Sequence, residues 1–307
     1  MSTNIAVTLA PGWEKRVTPE WLAGWEPEPF ELEGGHTLVV VMGHGPTLLL
    51  LPPLPGFKEA FVAVAARLAR RRRVVTFDLR ARFAGPPDWR SLTDDLERVA
   101  NRFAPGPAIV VGHSLGGALA QRWVLAHPER VAALVLSSSF AHVRTPRSHW
   151  AKRYVEQPLV LASQRLLPER LARPLARQLA RRGAWVYDSA CDEHVLDFVR
   201  HGIRGLPLGL AGQSVRLAMA HDTRARLGEW RGPTLLLRGE REAAWMTEAE
   251  EELARLLPGA ERRVSPGVSH LHPLSVPAWF AETIEEWLGG LVGQGQSGTK
   301  NDEGVPQ

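Results

Sequence analysis

Between Ala108 and Ala126 the chain runs from an unbroken apolar stretch, Ala108-Ile109-Val110-Val111, through Gly112-His113-Ser114-Leu115-Gly116-Gly117 into a helical pattern. A G-x-S-x-G placed between a strand and a helix demands a very sharp turn. A β-carbon at Gly112 or Gly116 would collide there with the neighbouring strand and helix. Such a turn holds its serine in strained backbone geometry and lifts the hydroxyl above the sheet, which is the nucleophile-elbow arrangement. The Leu115 amide, at the helix N-terminus, is then placed to donate to an oxyanion. The competing reading is a Gly-rich structural turn with an incidental serine. The strand before it, the helix after it, and an acid and a histidine further along favour the elbow.

The surrounding pattern extends the same architecture. Apolar runs at Thr37–Met42 and Thr47–Leu51 are separated by the turn signal Gly43-His44-Gly45-Pro46. Helical periodicity spans Glu59–Arg70, a short strand spans Val74–Phe77, and a helix spans Leu92–Phe103, opened by Ser91 and Thr93 as capping residues. Val131–Leu136 is a further buried strand. Strands alternating with helices at this spacing predict an α/β fold with a mostly parallel sheet covered on both faces. The alternation stops near Phe140 and returns at Thr234–Leu237 and, weakly, Glu261–Val264, followed by an amphipathic helix over Val276–Leu288.

This pattern divides the chain. Residues 1–29, rich in Trp, Pro and Glu, are an irregular arm on the core. Residues 30–140 and 230–288 form the core. Residues 141–229, mostly helical in pattern, are too long for a structureless loop and are assigned as an inserted helical cap. Within the cap, the stretch Gln164–Arg182 carries six arginines, read as a solvated face or, if turned inward, as attraction for an anionic substrate. Residues 289–307, rich in Gly, Gln and Ser, are assigned as a flexible tail.

A serine hydroxyl needs a base to take its proton, and the base needs an orienting group. The last weak strand leads into Ser265-Pro266-Gly267-Val268-Ser269-His270, and His270 is the candidate base, with His272 as the local rival. After the strand Thr234–Leu237 the chain reads Arg238-Gly239-Glu240-Arg241-Glu242. Glu242 is the candidate orienting acid, and Glu240 is the alternative. Past Leu51 lies Pro52-Pro53-Leu54-Pro55-Gly56. The prolines have no N–H to donate, so Leu54 is the second candidate oxyanion donor beside Leu115, unless this loop serves packing alone.

Composition narrows the remaining classes. The 307 residues are 44% hydrophobic and 23% charged, ordinary for a globular chain, with a net charge of +4. The 33 arginines and 4 lysines are scattered rather than gathered in a stripe with aromatics, which argues against nucleic-acid binding. One cysteine, Cys191, rules out an intrachain disulfide and fits a reducing compartment as a small packing residue. No secretory pattern is visible, and no apolar run approaches the ~18 residues that span a bilayer, so a cytoplasmic protein without a membrane partner is expected.

The elbow, the Pro128-Glu129-Arg130 turn after its helix and the strand Val131–Leu136 resemble the α/β-hydrolase superfamily with a helical lid, over about residues 30–140 and 230–288. The resemblance implies an eight-stranded, mostly parallel sheet, no metal and no organic cofactor. It also implies the chain order Ser114, Glu242, His270 for nucleophile, acid and base. Where family members usually carry His-Gly, this chain has Pro52-Pro53. A common Gly-His-Gly turn is replaced by Arg80–Gly85, the usual acid Asp by Glu242, and the usual Gly before the histidine by Ser269. The expected activity is hydrolysis of a small ester, thioester or lactone, with a small-molecule acyl substrate bound between elbow and cap. Carbon–carbon bond hydrolysis or lysis on the same fold, and a non-catalytic binding or scaffold protein, are the alternatives.

Overall fold

The computed structural model describes residues 12–33, 35–54, 56–79, 88–143, 162–163, 165–181, 193–205 and 216–297. Its centre is one eight-stranded sheet, built from β1 (Glu28–Leu32), β2 (Gly35–Met42), β3 (Thr47–Leu51), β4 (Arg73–Phe77), β5 (Ala108–His113), β6 (Val131–Ser137), β7 (Thr234–Gly239) and β8 (Glu261–Ser265). The strand order is β1-β2-β4-β3-β5-β6-β7-β8. Only β2 runs antiparallel to its neighbours β1 and β4, and the pairs from β4 to β8 are parallel.

The apolar runs of β3, β5 and β7 do not alternate with polar residues because both faces of the sheet are covered. Leu49, Leu51, Val110 and Leu236 pack toward the helices Trp89–Phe103, Leu115–Ala126 and Ala244–Leu256. Leu48, Leu50, Val111, Leu235 and Leu237 pack toward Val62–Leu68 and the final helix, through Phe280, Ile284 and Trp287. Successive side chains point to opposite faces, so one run supplies two cores. Each fully buried leucine contributes about 1.5–3 kcal/mol relative to exposure.

Several elements differ from the sequence expectation, each for a tertiary reason. β1 falls across the end of the assigned arm. It forms because Phe30 reaches Phe103 edge-on at 5.1 Å and Leu32 is buried. Ahead of it, Trp13, Trp21 and Trp25 are buried against the core. The helix Trp89–Phe103 starts before Ser91 and Thr93, and its cap is Asp88, whose Oδ1 accepts the Arg90 N–H at 2.9 Å. The final helix covers Pro277–Ser297 rather than ending at Leu288, continuing past Gly289 and Gly290 with Leu291 packed on the core.

In the region assigned as a cap, helices run over Glu169–Arg181 and Glu193–Gly205. The second packs on the arm, with Phe198 edge-on to Trp13 at 6.2 Å. Cys191, Arg182, Gln164, the Arg80–Gly85 turn and residues 298–307 of the assigned tail lie outside the described residues.

Candidate active site

The parallel register brings the C-terminal ends of five strands to one edge. Leu51 at the end of β3 pairs with Gly112, His113 at the end of β5 with Ser137, Ser137 with Leu237, and Gly239 with Ser265. Each candidate group stands on a loop leaving this edge, the usual place for a site in an open parallel sheet.

Ser114 has φ 54 and ψ −115, a conformation that costs about 1–3 kcal/mol for a residue with a side chain. Surrounding contacts hold it there: its N–H donates to the Ser137 carbonyl at 2.8 Å, and its carbonyl accepts from Gly117 at 3.0 Å and Ala118 at 3.3 Å. A β-carbon at Gly112 would strike the Gly116 carbonyl, and one at Gly116 would strike the Leu51 carbonyl. The two glycines therefore let the elbow close onto the end of β3. Ser114 is 6% exposed. Leu115 opens the helix, so its N–H has no intrahelical acceptor.

The loop after β3 thus lies against the elbow. A turn closes across Leu54 through Gly56 N–H to Pro53 carbonyl at 2.6 Å, and Leu79 N–H binds the Gly56 carbonyl at 2.9 Å. Leu54 itself packs on the core. Just beyond, Lys58, Glu59 and Asp78 form a buried charge cluster. Lys58 Nζ donates to Glu59 Oε1 at 2.6 Å and Asp78 Oδ2 at 3.1 Å, and its backbone N–H donates to Asp78 Oδ1 at 3.0 Å. Glu59 Oε2 has no hydrogen-bond partner among the described residues. Burial, then the Glu59 charge, pushes the Asp78 carboxyl well above its ordinary range against the pull of Lys58. Burial alone would lower Lys58, but the two carboxylates outweigh it and hold the ammonium above its usual range.

His270 and Glu242 meet from different loops: His270 Nδ1 is 3.1 Å from Glu242 Oε1, with both side chains at most 5% exposed. The His270 ring lies 5.0 Å from that of His113, the residue before Ser114. Burial alone would raise Glu242. The charge of His270 and hydrogen bonds from His270 and Ser138 outweigh it and keep the carboxylate below its ordinary range.

Glu240, the alternative acid, turns elsewhere, its Oε2 accepting the Gly267 N–H at 2.7 Å in an exposed turn. His272, the alternative base, is fully buried, with Nε2 at 3.0 Å from Ser137 Oγ and 3.2 Å from Ser138 Oγ. Burial pushes its pKa down to about 3, so it is neutral at ordinary pH. Residues 46–274 match the family described as the alpha/beta hydrolase fold. This chain is an α/β hydrolase.

Over 256 residues the hydrolase is 32% identical to a pimeloyl-(acyl-carrier protein) methyl ester esterase of Chromobacterium violaceum, covering 81% of this chain and 97% of that one. It is 27% identical over 255 residues to the sn-1-specific diacylglycerol lipase ABHD11 of Mus musculus, covering 79% and 81%. A thermophilic esterase from Thermogutta terrifontis shares the fold at TM-score 0.65 and 23% identity, covering 86% of this chain and 98% of that chain. Among the described residues of the hydrolase, no helix is long and apolar enough to cross a membrane.

Sequence reasoning missed the three serines at the end of β6. Each uses its hydroxyl. Ser137 Oγ lies 2.9 Å from His113 Nδ1, Ser138 donates to Glu242 Oε1, and Ser139 donates to the Ser114 carbonyl at 3.0 Å. A triple serine at a predicted strand end next to the elbow strand was the available signal, but its partners become neighbours only through the sheet order.

Buried neutral histidines give the hydrolase an acid-sensitive core. Burial, and then the neighbouring His270, holds His113 well below its usual range. Burial, then Arg122, whose Nε donates to His221 Nδ1 at 3.2 Å, pushes His221 down to about 3. These two and His272 are each held below their ordinary value when folded, so on unfolding they take up protons as pH falls below 6.5. Their contribution is therefore complete above that pH and falls as pH drops, by up to about 1.4 kcal/mol per pH unit per histidine. Asp78 opposes this, because a carboxyl raised in the folded state favours folding as pH falls. Urea unfolding is expected to show stability falling by about 1–3 kcal/mol between pH 6 and 5. A flat profile would mean that the histidines are not held neutral.

Proposed function

We propose that this α/β hydrolase cleaves a small carboxylic ester, thioester or lactone through an acyl-enzyme on Ser114. The observation that carries the reading is the Glu242–His270 hydrogen bond, set at the same sheet edge as a serine in elbow geometry. With His270 Nδ1–H given to Glu242, Nε2 is left as the base. Ser114 Oγ attacks the substrate carbonyl carbon while His270 Nε2 takes the hydroxyl proton. The oxyanion of the tetrahedral adduct accepts the Leu54 and Leu115 N–H groups. Collapse breaks the ester bond, and the alcohol, or the thiol of a thioester, leaves with the proton held by His270. Water then attacks the acyl-Ser114 ester with His270 again as base, and the carboxylic acid departs as Ser114 recovers its proton. Glu242 stays ionised throughout and stabilises the imidazolium.

The similarity to ester-cleaving relatives supports this reaction class, and the substrate in this reading is a small-molecule acyl compound. No step requires a metal or an organic cofactor. The test is intact mass after incubation with a fluorophosphonate. One covalent adduct on the wild-type chain and none on Ser114→Ala is expected. A folded wild-type chain that takes up no adduct, yet is stabilised thermally by candidate esters, would instead indicate a binding protein on the hydrolase fold.

A further inference from the structure

Ser138 carries two features that the reaction above leaves unexplained. Among the described residues, only Ser114 and Ser138 combine a side chain with positive φ, and Ser138 stands at φ 42. A left-handed backbone disfavours any residue with a β-carbon, and glycine is the ordinary occupant. Ser138 is also buried, and its hydroxyl donates to Glu242 Oε1, the same oxygen that faces His270 Nδ1. One carboxylate oxygen thus accepts from two loops.

The hydroxyl's own environment sets the direction of that bond. His272 Nε2 lies 3.2 Å from Ser138 Oγ and 3.0 Å from Ser137 Oγ, whereas His272 Nδ1 has no hydrogen-bond partner among the described residues. A neutral imidazole keeps its proton on the nitrogen that has an acceptor. His272 Nε2–H therefore donates to the serine oxygens, and the Ser138 proton is left for Glu242. The result is a chain in which His272 donates to Ser138, Ser138 donates to Glu242, and Glu242 accepts in addition from His270. The neighbouring titratable group, His113, has its ring 5.0 Å from that of His270 and 5.5 Å from that of His272, and burial keeps it neutral. Glu242 lies within ion-pair distance of His270.

We propose that Ser138 is a positioning residue, held in a strained backbone by the fold so that its hydroxyl pins the Glu242 carboxylate in the orientation that serves His270. The inference rests on the triad reading above. A glutamate has one more rotatable bond than an aspartate, and its carboxylate sweeps a wider volume unless a second donor fixes it. Ser138 is that donor, and His272, rejected as the base, orients Ser138.

Glycine separates the two roles of this residue, because it accepts φ 42 freely and has no hydroxyl. Hydrolysis of p-nitrophenyl butyrate and thermal unfolding are followed for the wild type, Ser138→Gly, Ser138→Ala and Glu242→Ala, and for Ser138→Gly combined with Glu242→Ala. Loss of a hydrogen bond to a charged group is expected to lower kcat of Ser138→Gly by about tenfold to a hundredfold, with KM within about twofold. Its melting temperature should equal or exceed that of Ser138→Ala. In the Glu242→Ala background, Ser138→Gly should change kcat by less than about twofold, because the group it positions is gone. Wild-type kcat in Ser138→Gly, or the same loss with and without Glu242, would overturn the proposal and leave the triad intact. Wild-type kcat in Glu242→Ala would overturn the triad reading and this inference together.

Discussion

Replacing Ser114 with alanine is expected to lower kcat on a small ester by about ten-thousand- to a million-fold while the fold persists. In the proposed mechanism the hydroxyl removed is the group that bonds to the substrate, so no neighbouring group can substitute for it. His270→Ala should cost a loss of similar order, because an unassisted serine hydroxyl is a poor nucleophile near neutral pH. The double variant should be scarcely worse than either single one, since the two groups act as a unit. The activity expected to survive is what the proposed oxyanion donors, the amides of Leu54 and Leu115, would still supply. Steady-state kinetics on p-nitrophenyl esters, with circular dichroism to verify folding, reads all three variants. Multiplying losses in the double variant would show that Ser114 and His270 do not work together, and the acyl-enzyme reading would fall.

The second large effect concerns stability rather than chemistry. Lys58→Met leaves the Asp78 and Glu59 carboxyls buried without their shared ammonium, with side chains 1% and 2% exposed. Removing one partner from a buried ion cluster costs roughly 3–5 kcal/mol, because the remaining charges must be neutralised or hydrated. For a chain of this size that corresponds to a fall in melting temperature of about 5–8 °C. Converting the whole cluster, Lys58→Met with Glu59→Leu and Asp78→Asn, should recover most of it. No charge is then stranded, and the introduced amide oxygen can still accept the backbone N–H that Asp78 Oδ1 accepts in the wild type. Calorimetry on the two variants makes the comparison. A single Lys58→Met variant as stable as wild type would mean that the two carboxyls already share the site as neutral acids. The cluster follows directly on the Pro52–Gly56 loop, so the destabilised variant should also lose the fixed placement of Leu54.

Local pattern and tertiary context contributed differently at each candidate residue. Gly112, Ser114 and Gly116 were legible because an elbow is a local object: its strand, turn and helix are consecutive, and the steric demand falls on residues two apart. The strand Thr234–Leu237 and the weak strand before Ser265 were legible from apolar runs, and with them the two loops that deliver Glu242 and His270. Within each loop the sequence favoured Glu242 over Glu240 and His270 over His272 without deciding between them. Glu240 and Glu242 have the same chemistry two residues apart, and only the packed loop shows Glu240 bound to the Gly267 N–H and Glu242 turned to His270. His270 and His272 are likewise adjacent in kind. Burial against Ser137 and Ser138 makes His272 a neutral donor. The edge strand β1 escaped notice because Glu28-Pro29-Phe30-Glu31-Leu32 has too few apolar residues to signal a strand alone, and Phe103, 73 positions away, supplies its packing partner.

By itself, then, the order of residues determined the layers, the parallel sheet, the elbow and the two loops that face it, because hydrophobic periodicity and steric exclusion act over neighbours a few positions apart. The tertiary structure decided which glutamate meets which histidine, what three successive serines hold, and that a lysine is buried between two carboxylates beside the Leu54 loop. Those outcomes depend on β3, β5, β6, β7 and β8 ending at one edge, and hydrogen bonds of about 3 Å between groups 20 to 135 positions apart exist only once that edge has formed.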